Sequence, residues 1–530
     1  MIQRSVPASG GKKKHRSKHQ RRRPRRSAHQ CSSQPNQNLM VPYITRHIPS
    51  YEPLHEEGLR KIEQAADTIL AEIGIEFHDD PETVRLFGEA GAQVSAVTNN
   101  AWNLKFEPGM IREILKTAPQ QFTQHARNPT KSVEIGGNSM VFAPSYGSPF
   151  IIDMDQGRRY GTLVDFENLV KLAQSSPWLH HSGGTICEPT DIPVNKRHLD
   201  MVYAHMRYSD RAFLGSITAP ERAADSIEMC RILFGTEFVA ENCVIMGNFN
   251  STSPLIWDGV STRGIRTYAE AGQGSILLPF LLGGAVSPVT MPGAIAQSLA
   301  ESMAGCALTQ LVRPGAPAVL ASFLSSTSLR SGSPSFGTPE PALGSLVIGQ
   351  LARRLKLPLR CAGNFSTSKQ ADGQAMAQSM MSMMSAVQCG ANFVLHSAGF
   401  LDSLLSMSYE KFMLDTDLCG AFHSYVKGFE INDDTLGLDA LREGGPGQHM
   451  FGTAHTLAHY RTAYWESQLN DDQPYESWLE QGGDNAMLRA NRMWKETLQA
   501  YQAPAMDVGV NDALKDFINR RKASMVDGWY

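Results

Sequence analysis

The chain has no run of 18 apolar residues in its 530 positions, so no transmembrane helix is expected. Its longest apolar stretch, Ile276 to Val286, is broken by Pro279, Gly283 and Gly284 and reads as a buried strand and a turn. CxxC spacing is missing as well. The eight cysteines stand singly at 31, 187, 230, 243, 306, 361, 389 and 419, mostly inside apolar segments. Scattered in this way through a long chain, they predict reduced thiols in a cytoplasmic protein rather than a disulfide framework. There is no GxSxG elbow of a hydrolase and no GxxxxGK[ST] phosphate loop. No GxGxxG follows a first strand, which counts against a dinucleotide fold. No Cys/His cluster has zinc spacing; His180-His181 and His455-x-x-x-His459 come nearest, and without a third ligand both read as structural histidines, so no metal site is expected.

Acid is missing from the start of the chain. The first acidic residue is Glu52, whereas residues 1–51 hold twelve Lys and Arg. The remainder has 37 basic against 52 acidic side chains. Residues 1–40 are therefore read as a solvated, disordered basic tail. An acidic partner suits this tail better than nucleic acid, whose phosphates the acidic body would repel.

What the chain does contain is a rhythm. Leu54–Ile73, Asp80–Phe87 and Pro108–Ala118 show helical spacing, with Asp80 as N-cap before Pro81, so residues 41–138 read as a helical lead-in. From residue 139, eight short apolar runs end in Gly, Ser, Asn or Pro. They are Met140–Pro144, Gly183–Cys187, Ala212–Ile217, Cys243–Asn248, Ser275–Phe280, Ala318–Phe323, Leu357–Cys361 and Ala391–His396. Helical stretches such as Phe166–Gln174, Ala223–Leu233, Pro292–Leu311, Ala342–Leu355 and Ala375–Gln388 lie between them. Eight β/α units over 139–425 predict an α/β fold, a (β/α)8 barrel, with a doubly wound sheet as the alternative. Residues 426–530 read as a C-terminal helical extension, with helices over Thr456–Gln468 and Ala486–Tyr501 and a last one capped near Asn511. The methionines 376, 380, 381, 383 and 384 on one helix read as core filler.

A barrel keeps its chemistry just past the carboxyl ends of its strands. Residues so placed are Tyr146, Glu188, Asn248, Asn250, Ser251, Glu340, Asn364, Phe365, Lys369, Gln374, His396 and Asp402. Each also has a structural reading, as a helix cap, a turn residue or a core histidine.

The stretch Gly363-Asn-Phe-Ser-Thr-Ser-Lys369 resembles the turn of the trimethylamine methyltransferase family, where pyrrolysine precedes a Thr-Asp-Ser-Lys run. Here Phe365 takes the pyrrolysine position, with Asn364 as the alternative alignment. Further segments resemble the family in order: Ile73-Gly-Ile-Glu-Phe77, Gly337–Leu343, Gln350–Arg353, Ala391–Gly399, Gly452–Thr456 and Tyr501–Ile518. The resemblance implies a barrel enzyme that demethylates a methylated amine and passes the methyl group to Co(I) of a separate corrinoid-binding protein, with no tightly bound cofactor of its own. It implies Phe365, Asn364, Glu340 and His396 at the reacting centre. A phenylalanine has no electrophilic imine, which favours a quaternary amine such as glycine betaine over trimethylamine. Phe365, Tyr146 and Phe249 would then form an aromatic cage for the ammonium. Lys369, His396, Asn248, Gln374 and Glu188 would bind the rest of the substrate. Transfer to another acceptor such as tetrahydrofolate, or a silent barrel that binds amine and partner, are the alternatives. A homo-oligomer is expected.

Overall fold

Near-continuous apolar runs suit strands covered on both faces, and seven of the eight expected runs form parallel strands in the computed structural model, which describes residues 40–328 and 330–529. In spatial order they are Phe213–Leu214, Ile245–Asn250, Gly274–Leu278, Ala318–Ala321, Leu359–Ala362, Phe393–Leu395 and Ser139–Phe142. The first of these strands in sequence thus pairs with the last, through Val141 opposite Phe393, and the sheet curls. Antiparallel strands Val133–Gly136 and Gln121–Gln124 extend it.

The expected strand Gly183–Cys187 does not form. Gly183 takes the left-handed region at φ 93, which breaks the pleat. The backbone just before it makes the contacts instead. The His180 N–H donates to Phe142 O at 3.0 Å, the Ser182 N–H to Ala212 O at 2.9 Å, and the Leu214 N–H to Gly183 O at 2.8 Å.

Helices cover the outer face of the sheet. They include Leu163–Ser175, Arg197–Tyr208, Pro220–Phe234, Gly259–Glu270, Met291–Val312, Pro339–Leu355, Gly373–Gln388 and Tyr409–Lys427. Small residues let them approach closely: a Cβ at Gly264 would stand 2.6 Å from the Phe249 ring. Of the methionines on helix Gly373–Gln388 only Met383 is fully buried; Met380 and Met381 are exposed, so these two are not core filler.

The stretch 41–138 is not purely helical. Helices Glu56–Thr68, Pro81–Glu89 and Met110–Leu115 alternate with antiparallel strands Ile75–His78, Gln93–Thr98 and Ala101–Lys105. Asp80 caps its helix as the sequence suggests, accepting from the Thr83 and Thr262 hydroxyls at 2.7 and 2.8 Å. In the C-terminal region the expected helix Thr456–Gln468 shortens to Ala454–His459. The last helix, Val508–Ala523, is capped by Asp507 rather than Asn511. One contiguous core runs from Ile44 to Ile518. Among the described residues no helix is long and apolar enough to cross a membrane, and all seven cysteines are buried and free. The basic tail lies outside the described residues.

Candidate functional site

Period-two alternation along Leu359–Ala362 sends Cys361 and Arg360 to opposite faces. The Cys361 Sγ lies 3.7 Å from that of Cys389, on the helix side. Arg360 is in register with Ala321 and Phe393 on the inner face, and it is fully buried. Its Nη2 donates to His396 Nδ1 at 3.0 Å and its Nη1 to Ser322 O at 3.4 Å, while Nε has no partner. The guanidinium sits 5.7 Å from the Phe323 ring centroid. No carboxylate contacts it among the described residues. Burial pushes its pKa down to about 9. Burial and the neighbouring guanidinium hold His396 well below the usual histidine range, so it is neutral. The Nδ1 that accepts from Arg360 leaves the ring proton on Nε2.

Rings pack around this pair. Phe365 lies 4.8 Å from Phe323, 5.0 Å from both Phe336 and His396, and 6.0 Å from Phe400, between ring centroids. Phe280 meets Phe323 edge-on at 4.6 Å. The cluster thus joins a buried cation to five phenylalanine rings, whose faces attract a second, softer cation.

Two segments hold the cluster in shape. In the first, the Asn364 N–H donates to His396 O at 2.8 Å and its side-chain amide to Ser397 O at 2.6 Å, tying neighbouring strand ends together. The Ser366 hydroxyl and the Thr367 N–H both donate to the side-chain Oε1 of Gln378, at 3.0 and 2.9 Å. In the second, His396 stands at φ 66, and Asp402, Ser403 and Leu404 at φ 53 to 78. Non-glycine residues rarely adopt such angles, each costing about 1–3 kcal/mol, and surrounding bonds must enforce them. Here the Asp402 N–H donates to Ser368 O at 2.7 Å and the Ser403 N–H to Ser366 O at 3.2 Å. Behind them, buried Lys411 pairs with buried Asp415, which also accepts from the Gly399 N–H at 2.8 Å just before Phe400.

The remaining expected residues divide. Tyr146 stacks by Gly184 and Leu214 on the inner side, and burial of its hydroxyl pushes it up to about 12. Asn248 faces the same side, its Oδ1 buried without a partner. Glu188 is raised by burial, though Arg197, its ion-pair partner, pulls the other way. Phe249 is a correction: one residue on from Asn248 it faces outward, against Tyr268 at 5.5 Å and Gly264, so it is core and not cage. Lys369 and Gln374 are exposed and bind Thr367, at 2.7 and 3.1 Å. Glu340 is exposed in the first turn of its helix and makes no ion pair among the described residues. The structure adds Arg360, Phe323, Phe336 and Phe400. Arg360 had a signal: it is the one charge inside the apolar run Leu357–Cys361.

The family model described as trimethylamine methyltransferase (MTTB) matches residues 17–526. Glycine betaine methyltransferase of Desulfitobacterium hafniense (strain Y51) is 38% identical over 475 residues, covering 89% of this chain and 98% of that protein. Proline betaine:corrinoid methyltransferase of Eubacterium limosum is 26% identical, with 88% and 95% covered. A trimethylamine methyltransferase of Methanosarcina barkeri is 23% identical, with 88% and 94% covered. Among solved structures, monomethylamine methyltransferase of Methanosarcina barkeri aligns over 85% of this chain and 88% of its own, with a TM-score of 0.49 and 12% identity. By the extent of the family match and the 38% relative, the chain belongs to the trimethylamine methyltransferase family.

Proposed function

We propose that this protein demethylates a quaternary ammonium carboxylate, glycine betaine first, and passes the methyl group to Co(I) of a separate corrinoid protein. The observation that carries this is Arg360, a buried guanidinium without a carboxylate, set against the ring cluster of Phe365. A buried charge is costly unless something pairs with it. A betaine supplies both missing parts in one small molecule: a carboxylate for Arg360, and one methylene away a trimethylammonium for the rings. Neutral His396, with its proton on Nε2, is a second donor to that carboxylate. Relatives that act on glycine betaine and on proline betaine agree with this reading.

The chemistry asks little acid or base of the chain. The bond between methyl carbon and nitrogen breaks with its electron pair kept on nitrogen, and the amine leaves neutral. The corrinoid, a second substrate here, supplies the nucleophile. The residues of this chain bind, orient and dehydrate the ammonium, which raises the effective concentration of the methyl group in line with its acceptor. Because the rings touch one another in the structure, the substrate must part them to enter.

The same reading takes the curled sheet as a closed (β/α)8 barrel in which residues 179–184 hold the eighth place. Their backbone bonds to Phe142 and to Ala212 and Leu214 support this; Phe365 and His396 then follow strand ends, with Arg360 inside its strand.

The test is methyl transfer to a corrinoid protein, or to free cob(I)alamin, followed as methylcobalamin formation. The panel is glycine betaine, proline betaine, carnitine, choline and trimethylamine. Product with the carboxylates, and little with choline or trimethylamine, is expected. If no compound of the panel gives product, the reading fails.

A further inference from the structure

His455 and His459 stand out in the sequence by their spacing, and methyl transfer makes no use of them. Both lie on the short helix Ala454–His459, with ring centroids 4.6 Å apart. The sequence alone offers no third ligand; the fold brings one. Asp434, on helix Asp433–Leu436, places its carboxylate oxygens 3.1 and 3.3 Å from His459 Nε2. His455 Nε2 lies 2.9 Å from the Asp434 carbonyl. One ligand atom from each of the three residues falls within 4.8 Å of the others. Both helices are fixed at their starts: Asn432 accepts from the Thr435 N–H at 2.8 Å, and Thr453 from the Thr456 N–H at 3.3 Å. Gly437, beside the His455 imidazole, takes the left-handed region at φ 62.

We propose that Asp434, His455 and His459 bind one divalent transition-metal ion, of the zinc or cobalt(II) type, as a structural clip. Imidazole nitrogen and carboxylate oxygen are the ligands such ions take, at about 2.0–2.2 Å, so the edges of a tetrahedral site are about 3.4 Å. The separation of Asp434 and His459 already matches that edge. His455 needs only to exchange the carbonyl for the ion. Water completes the shell, and the neutral imidazoles and one carboxylate leave a net positive centre. The surrounding chain gives the clip a purpose. Phe429, Ile431, Phe451 and Tyr464 are 76–90% exposed, so this region has little apolar anchoring of its own. The ion would cross-link two segments 21 residues apart.

The experiment uses the full chain without an affinity tag, stripped with chelator and titrated with Co(II) alone, then competed with Zn(II). Asp434→Asn, His455→Gln and His459→Gln are run beside it, with circular dichroism as the check on folding. Ion uptake common to all four proteins belongs to other sites and cancels. The wild type is expected to bind one equivalent more than the variants, with the ligand-field spectrum of a low-coordinate site and a metal-dependent rise in Tm. Changing a partner of a metal ligand weakens binding 10–100-fold, so loss of a ligand should cost at least about 100-fold. Equal uptake by wild type and variants, or a wild-type spectrum of the six-coordinate aqua ion, overturns the proposal. X-ray absorption of the Co(II)-loaded wild type stands independent of any variant's folding: two imidazoles per ion support the site, and none overturns it.

Discussion

Arg360 faces into the site with its Nε unpaired, and the consequence of removing its charge differs between substrates. Arg360→Gln should lower kcat/KM for glycine betaine by about 100-fold, the worth of one charge-assisted pair at about 1.5–3 kcal/mol. Activity on choline or trimethylamine, however small, should not fall, because neither has a carboxylate. Steady-state kinetics on the three substrates checks this; equal loss on all would make Arg360 a packing residue. Phe249 and Phe365 give the complementary contrast. Both are buried phenylalanines, at 0 and 5% exposure, on opposite sides of the sheet. Phe249→Ala should cost about 3–5 kcal/mol of stability, read by denaturant unfolding, with KM unchanged in the protein that remains folded. Phe365→Ala should raise KM for betaine, by the loss of about 2 kcal/mol of ring-to-cation attraction, with a smaller loss of stability.

At the scale of elements, the turn 363–369 and the loop 396–405 are held by what lies behind them. Lys411 and Asp415 are both fully buried on helix Tyr409–Lys427. Burial raises the Asp415 carboxyl to about 6, against the pull of the ammonium, and burial lowers Lys411. Breaking the pair in Lys411→Met should cost about 3–5 kcal/mol, since a carboxylate is left alone, whereas Lys411→Met with Asp415→Leu should be much milder. Urea unfolding of the single and double variants measures the difference. Much of this architecture could be read in advance. Buried parallel strands are nearly continuous apolar runs, and Ile245–Asn250 or Phe393–Leu395 announce themselves as such. The segment 179–184 hides because His180-His181-Ser182 is polar yet buried, its side chains finding partners on distant segments: His180 Nδ1 accepts from the Phe142 N–H at 2.8 Å, and Ser182 Oγ lies 2.8 Å from His205 Nδ1. Gln93–Thr98 hides for the opposite reason, since every residue in it is exposed and no apolar face marks it. The site was half legible. Phe365 and His396 show at strand ends, but Phe323, Phe336 and Phe400 are ordinary apolar residues until the fold brings them together. Phe249 misleads because a strand end carries both an inward and an outward residue.

For the whole molecule, buried neutral histidines set the acid limit. His180, His181 and His396 are pushed well below the ordinary value by burial, and His205 and His423 to about 4. Depressed folded values mean that the unfolded chain binds more protons below pH 6.5. Stability is therefore fully present above about pH 6.5 and is lost as pH falls toward 4. Tm should drop steeply across that window. In His423→Gln the slope should ease by about one proton, about 1.4 kcal/mol per pH unit; an unchanged slope would mean that His423 takes up its proton equally in the folded and unfolded states. Leu514 and Ile518 of Val508–Ala523 are buried in the main core. Arg521 pairs with Asp225 at 2.7 Å, and Asn511 accepts from the Tyr203 hydroxyl at 2.8 Å, contacts that span 296 and 308 residues. Helix Val508–Ala523 is thus the cover for helices Arg197–Tyr208 and Pro220–Phe234, which are made long before it. During synthesis those helices stay uncovered until this one emerges, and a product that stops short of it would present that bare face to chaperones and proteases rather than a slightly smaller enzyme.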